Sequence, residues 1–156
     1  MKVRLRPARP ADARRLWRWA NDPETRRASF TPGRIAWQSH LEWFRGKLAS
    51  STARIYLAVG PGGRVVGQIR FEVEHPGRAV VSLVVAPEAR GRGIGKLMLA
   101  AGVGRSARDL DIRRIYAYVK RDNPASLSLF RAAGFRRMRS LVRGRAPSVL
   151  LSRPAR

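Results

Sequence analysis

Residues Val84 to Met98 read VVAPEARGRGIGKLM. A β-branched run passes through a proline into arginines threaded among Gly91, Gly93 and Gly95, and an apolar pattern of helical spacing follows. Such a turn gathers free backbone N–H groups, the positive end of a helix dipole and flexible glycines at one point, which suits an anion and in particular a diphosphate. Two other phosphate loops fail on spacing. A Walker A loop needs glycine at Arg90 and Ser or Thr at Leu97, and in a dinucleotide fingerprint the third glycine comes later than Gly95. The remaining alternative is a glycine turn used only for close packing.

Other side chains narrow the chemistry by their scarcity. The chain has no cysteine, which excludes disulfides, thiolate metal sites and cysteine nucleophiles; His40 and His75 alone are poor material for zinc, and no metal is expected. Glu72 and Glu74 fall on one face of a strand by period two and can relay a proton from an ammonium through water, or else form a solvated strand face.

The elements that must position these groups alternate along the chain. VRLRPA at Val3 to Ala8 reads as an edge strand, and Asp12 as the cap of a helix over ARRLWRWA, ended by Asn-Asp-Pro. A second helix is predicted from Ile35 to Leu48, with Trp37, Leu41, Phe44 and Leu48 as its apolar stripe. Three strands joined by hairpins follow (RIYLAV, RVVGQIRFEV, RAVVSLVV), an antiparallel meander. The glycine turn then opens a helix from Ile94 to Arg108. RRIYAYV reads as a strand, Pro124 to Ala133 as a helix stopped by Gly134, and FRRMRSLV and APSVLLS as closing strands.

At 156 residues and 44% hydrophobic content, one domain with one core is expected over 1–156. No apolar run approaches the roughly 20 residues of a membrane helix, and the opening MKVRLRPARP has no apolar signal segment, so a cytoplasmic location and no membrane partner are expected. The net charge is +23, and only four of the 33 basic residues are lysine. Polyanions would be attracted by such a surface. The arginines are scattered, however, and no aromatic RNA-binding signature is present, so nucleic acid is a secondary prospect as a partner.

The strand VVSLVV, then APEARGRGIGKLML, then NPASLSLFRAAGF resemble the GCN5-related N-acetyltransferase (GNAT) family over about the last half of the chain. The resemblance implies an α/β (α+β) fold: a mixed, mostly antiparallel twisted sheet of about seven strands with about four helices, its central strands splayed to admit acetyl-CoA. It also implies cofactor residues. Leu83, Val84 and Val85 would offer backbone contacts to pantetheine, a ligand's version of β-augmentation. Arg90, Gly91, Arg92, Gly93, Ile94, Gly95 and Lys96 would hold the diphosphate, and Asn123 would lie near the sulfur end; Ser126, a hydroxyl in the following helix, is expected to cap that helix or touch the cofactor.

Acetyl transfer to an amine needs a neutral amine, a polarised carbonyl and a departing thiolate. The resemblance places an oxyanion donor at the backbone N–H near Val85. Many members protonate the sulfur with a tyrosine seven residues after the asparagine, where this chain has Phe130. A thiol of pKa about 8.5 leaves without help at a cost on the order of 2 kcal/mol near neutrality. Tyr118, five residues before Asn123, is the neighbouring candidate; a plain strand aromatic is the alternative. Glu72 is the candidate relay.

The segment LWRWANDPETRRASFTPGRIAWQSHLEWF resembles the acetyltransferases of pseudaminic acid synthesis, which act on the 4-amino group of a UDP-linked amino sugar, and more loosely enzymes that acetylate ribosomal-protein N-termini. The first likeness implies substrate contacts from Asn21, Arg26, Phe30, His40, Trp43 and Glu74, with Trp17 and Trp37 in the core. Arginines and aromatics suit a nucleotide sugar. Three functions therefore compete: acetylation of a small-molecule amine such as that sugar, acetylation of protein N-termini, and a non-catalytic CoA- or nucleic-acid-binding module. Either a monomer or a homodimer is expected.

Overall fold

A computed structural model describes all residues, 1–156. The strands are β1 (Arg4–Pro7), β2 (Ala53–Val59), β3 (Val65–His75), β4 (Arg78–Val85), β5 (Arg114–Lys120), β6 (Arg136–Arg143) and β7 (Ala146–Pro154). The α-helices are α1 (Ala13–Ala20), α2 (Pro23–Ala28), α3 (Trp37–Ala49), α4 (Ile94–Leu110) and α5 (Pro124–Ala132). They build one seven-stranded sheet in the order β1-β2-β3-β4-β5-β7-β6. Every pairing is antiparallel except β4 with β5.

That one parallel pairing is short. It joins Arg78–Val80 to Arg114–Tyr116 and goes no further, although β4 continues to Val85 and β5 to Lys120. The sheet therefore opens into a V between its two central strands.

The two faces of the sheet are covered by different helices. Ile69 and Phe71 of β3 face α4, where Gly102 lets the helix approach: a Cβ there would stand 2.9 Å from Ile69 Cδ1 and 3.1 Å from Phe71. α5 lies against α4 and β5 on that side. Arg70 and Glu72, with side chains of opposite parity, face α3, which packs Phe44 into the core against β2. Trp17 and Trp37 pack edge to face at 5.5 Å between α1 and α3, with the Trp17 indole N–H donating to Ile35 O at 2.8 Å.

Three local expectations need correction. Pro23–Ala28 is a helix of its own, not only the end of the preceding one: Asp22 caps it by accepting from Thr25 N at 3.3 Å, with proline at the first position. Its six residues bury no side chain, so no apolar stripe announced it. α3 begins at Trp37, two residues later than predicted, after an extended Ala36. Asp12 is not a side-chain cap for α1. It is buried, accepting from both Nη1 and Nη2 of Arg6 at 2.9 Å and from Arg9 N at 2.8 Å, and so ties β1 to the start of α1.

Candidate active site

A cavity of about 930 Å³ fills the V and continues to the sheet's α3 side. Its inner edge is β4. Ala86 N donates to Val66 O at 2.8 Å, and the antiparallel alternation from there turns the backbone groups of Val85 and Leu83 away from β3 and into the gap. By the same alternation Val84 pairs with Gln68. The expectation of a Val84 backbone contact is therefore corrected: its N–H and C=O belong to β3.

One end of the cavity is the turn into α4. Gly91 and Gly93 have φ of +77° and +75°, the left-handed region that glycine enters without strain, and no atom lies within 4 Å of where a Cβ would stand at either. Gly93 caps the helix without any side-chain hydrogen bond, so the N–H groups of the first turn remain to be used. Gly91, Gly93, Gly95 and Lys96 line the cavity. Ile94 lines it too, but its side chain is buried in the core, so only its backbone is on offer. Arg92 is exposed and outside the lining.

Arg90 behaves differently from a free phosphate ligand. Its guanidinium pairs with Asp22 Oδ2 at 2.9 Å and Glu24 Oε2 at 2.6 Å and donates to Thr25 Oγ1 at 3.2 Å. Those partners all belong to α2 and its cap, so the expected diphosphate contact by this side chain is corrected to a strut holding the glycine turn. Burial works against the Asp22 charge, but Arg90 and the helix N–H groups prevail and hold its carboxyl below the usual range.

At the sulfur end expected from the resemblance, Asn123 Oδ1 accepts from Ser126 N at 3.2 Å, capping α5 and leaving Asn123 Nδ2 unengaged. Phe130 is buried edge to face against Phe135 at 5.0 Å and offers no proton. Tyr118 lines the cavity from β5, and its hydroxyl has no hydrogen-bond partner in the protein.

The opposite rim is formed by β3 and the segment from α1 to α3. Gln68 Oε1 is buried in the cavity wall without a hydrogen bond. Glu72 is corrected as a free relay: it pairs with Lys47 Nζ and, at 3.1 Å, with Arg70 Nε. Burial raises its pKa, but these two cations outweigh burial and leave it below the ordinary carboxylate value. Glu74 lines the rim exposed, with no ion pair.

The structure divides the expected substrate contacts. Phe30 and Trp43 line the cavity, Trp43 under the Arg70 guanidinium at 4.8 Å. Asn21 does not; its amide bonds Ile35 N at 2.8 Å and Ile35 O at 3.0 Å, closing the loop between α2 and α3. Arg26 reaches the cavity wall, but its donors go to the carbonyls of Ala20, Thr31 and Gly33 at 2.7, 3.0 and 3.1 Å. His40 is buried between Trp37 and Phe44 with Nε2 3.1 Å from Ala13 O; burial lowers its pKa more than that bond raises it, so the ring is neutral and donates there. Asn21 and Arg26 hold the loop that carries Phe30, and His40, which also lines the cavity, ties α3 to α1; none of the three presents a free group.

Sequence reasoning missed Gln68, Arg70, Lys120 and Arg143. Lys120 Nζ donates to Arg27 O at 2.8 Å, and Arg143 lies over Tyr118. No motif marks them, because the register of distant strands brings them to the cavity. No group of three His, Cys, Asp or Glu side chains is gathered that could hold a metal ion, and no helix is long and apolar enough to cross a membrane.

This chain is similar to known proteins. The mycothiol acetyltransferase of Pseudarthrobacter chlorophenolicus is 34% identical over 147 residues, covering 86% of this chain; the chain spans only 43% of that relative's length. Among solved structures, spermidine N-acetyltransferase from Vibrio cholerae, in complex with CoA and spermine, superposes with a TM-score of 0.89 at 17% identity, covering 99% of this chain and 96% of that one. The aminoglycoside acetyltransferase AAC(6')-Ib, in complex with coenzyme A and kanamycin, gives 0.84 at 18% identity over 98% and 95%. At such identities these two likenesses establish the fold. Residues 2–136 match the model of the acetyltransferase (GNAT) domain, and with the split sheet and glycine turn in place the chain belongs to the GNAT family.

Proposed function

We propose that this chain is an acetyl-CoA-dependent N-acetyltransferase acting on the primary amine of a small polar molecule. The observation that carries the reading is the meeting, in one cavity, of the unpaired inner edge of β4 with the uncapped glycine turn of α4.

The residues present fit the cofactor. Open space above Gly91 and Gly93 and free N–H groups from Gly91 to Lys96 would hold the diphosphate. Leu83 and Val85 would bind the pantetheine arm as an added strand. Asn123 Nδ2 and Ser126 Oγ would meet its sulfur end. When bound, acetyl-CoA supplies the acetyl group as a thioester and departs as the thiol, while the amine nitrogen gains the acyl carbon and loses a proton.

The chain's own groups do the rest. Val85 N–H, turned into the gap, would donate to an acyl oxygen held there; one such donor contributes about 10²–10³ in rate. Glu74 receives the amine's proton through water, and the Glu72 carboxylate, held by Lys47, fixes Arg70 behind Trp43. Tyr118 Oη gives a proton at the leaving sulfur.

The narrower expectation, the 4-amino group of a UDP-linked amino sugar, keeps Phe30, Trp43 and Glu74 as rim contacts and loses Asn21 and His40. Arg26 is lost with them, its donors taken by loop carbonyls, and the sugar stands as one acceptor within the small-amine class. Acetyl-CoA at a hundred times its Kd should raise stability by about 2.7 kcal/mol. Thiol release is then followed with spermidine, kanamycin, the UDP-linked sugar and short peptides. Release with small amines supports the proposal. No thermal shift and no release with any amine overturns it, and release with peptides alone moves the substrate to protein N-termini.

A further inference from the structure

Four arginines line the cavity: Arg26, Arg70, Arg90 and Arg143. Three have their donors engaged by the protein itself. Arg26 holds three loop carbonyls, Arg70 holds Glu72 and Ser82, and Arg90 holds Asp22 and Glu24. Arg143, half-buried at the end of β6, has neither a hydrogen bond nor an ion pair.

Its surroundings hold it in place without satisfying it. The guanidinium lies over the Tyr118 ring at 3.9 Å and over the Phe30 ring at 5.4 Å. Neither ring supplies it with an oxygen or nitrogen acceptor, and the guanidinium N–H groups have no hydrogen-bond partner in the protein. Phe30 is itself fixed from below, because Gly144 of the β6–β7 turn packs directly on its carbonyl. Lys120 Nζ, 6.0 Å from the same ring, adds a second positive charge. A positioned, partly dehydrated guanidinium with an open fork is the geometry that takes a carboxylate or phosphate in bidentate fashion.

The cavity is also polarised across the gap. On the β3 side Glu74 is the one lining carboxylate without an ion pair, Glu72 being neutralised by Lys47 and Arg70, while Arg143 and Lys120 stand on the β5–β6 side. Glu74 attracts an ammonium, and Arg143 with Lys120 attracts an anion. We propose that the acceptor is an amine that also carries an anionic group, carboxylate or phosphate, and that Arg143 is the residue that anchors this group. The proposal rests on the acetyltransferase reading and names its substrate class.

Matched pairs of probes test it: β-alanine against β-alaninamide, O-phosphoethanolamine against ethanolamine, and the UDP-linked 4-amino sugar. Each is assayed for thiol release from acetyl-CoA and for equilibrium binding to the CoA-loaded protein, in the natural chain and in Arg143→Gln and Arg143→Lys. The anionic member of at least one pair, or the nucleotide sugar, should be favoured at least tenfold in kcat/KM. The pair that shows the preference tells a carboxylate from a phosphate. Arg143→Gln should raise KM for the anionic probe tenfold or more with kcat little changed, leave the neutral partner and acetyl-CoA unaffected, and be partly rescued by lysine. Equal use of charged and neutral probes, or an equal loss for both in Arg143→Gln, overturns the proposal. If no amine is turned over, the acetyltransferase reading fails, and the binding preference still decides the role of Arg143.

Discussion

Tyr118 has an unpartnered hydroxyl in the cavity, and Phe130, at the position where a proton donor was sought, is locked against Phe135. In the proposed reaction Tyr118 is therefore the one aromatic hydroxyl in the cavity that can supply a proton to the leaving sulfur. Tyr118→Phe should lower kcat about a hundredfold near pH 7 with KM for acetyl-CoA little changed, since general acid catalysis is worth about 10²–10⁴. The deficit should shrink as pH rises past about 8.5, where a thiolate leaves unaided. A kcat–pH profile of both proteins checks this; a deficit constant from pH 7 to pH 9 refutes it. Side-chain roles were the least legible level of the sequence. Asn21, Arg26 and His40 were read as substrate contacts because their types could bind a sugar, yet each is engaged by a loop carbonyl or by buried rings. Residue type tells what a side chain is able to bind, and only its neighbours determine whether it is free to do so.

At the scale of elements, the glycine turn and its strut separate binding from stability. Gly91→Ala meets no atom within 4 Å, so its direct effects are left-handed strain of about 1–2 kcal/mol and a methyl group in the phosphate cradle. The expected result is a rise in the Kd for CoA of tenfold or more by calorimetry, with folding retained. Arg90→Ala leaves the cradle intact and releases α2 from it. Two partly exposed ion pairs are worth about 1 kcal/mol each or less, so the melting temperature should fall by only a few degrees. KM should rise for both acetyl-CoA and acceptor, since one strut serves both sides; a rise for one alone refutes the coupling. Strand and helix periodicities in this region were plain in the sequence. α2 was not, because its six residues, none of them fully buried, carry a cap but no apolar pattern.

Two predictions belong to the whole molecule. Asp12 is buried with Arg6 at the junction of β1 and α1. Burial disfavours its charge, but Arg6, the Arg9 N–H and Arg15 together hold its carboxyl below the ordinary aspartate value. Its contribution is thus present above that value and lost as pH falls through the lower folded one. Asp12→Ala should cost about 3 kcal/mol by denaturant unfolding at pH 7 and progressively less below pH ~4; an undiminished difference at pH 2 would refute the assignment. The net charge of +23 acts at longer range. Association with acetyl-CoA should slow as salt rises from 50 to 500 mM, because the attraction is screened. Stopped-flow rates independent of salt would show that local amides alone recruit the cofactor.

The sequence by itself determined the alternation of helices and strands and the glycine turn into α4, because these depend on local periodicity and on glycine spacing over a few residues; the family was legible as a resemblance in the motifs of the last half of the chain. The tertiary structure alone decided the acceptor end of the cavity. Parting of β4 from β5 after Val80 frees the backbone of Leu83 and Val85 and, by strand parity, withholds that of Val84. The return of the β6–β7 hairpin sets Arg143 over Tyr118 and Phe30, residues 25 and 113 positions away in the chain. Which charges are neutralised and which stay free follows from such long-range pairings, and no local pattern encodes them.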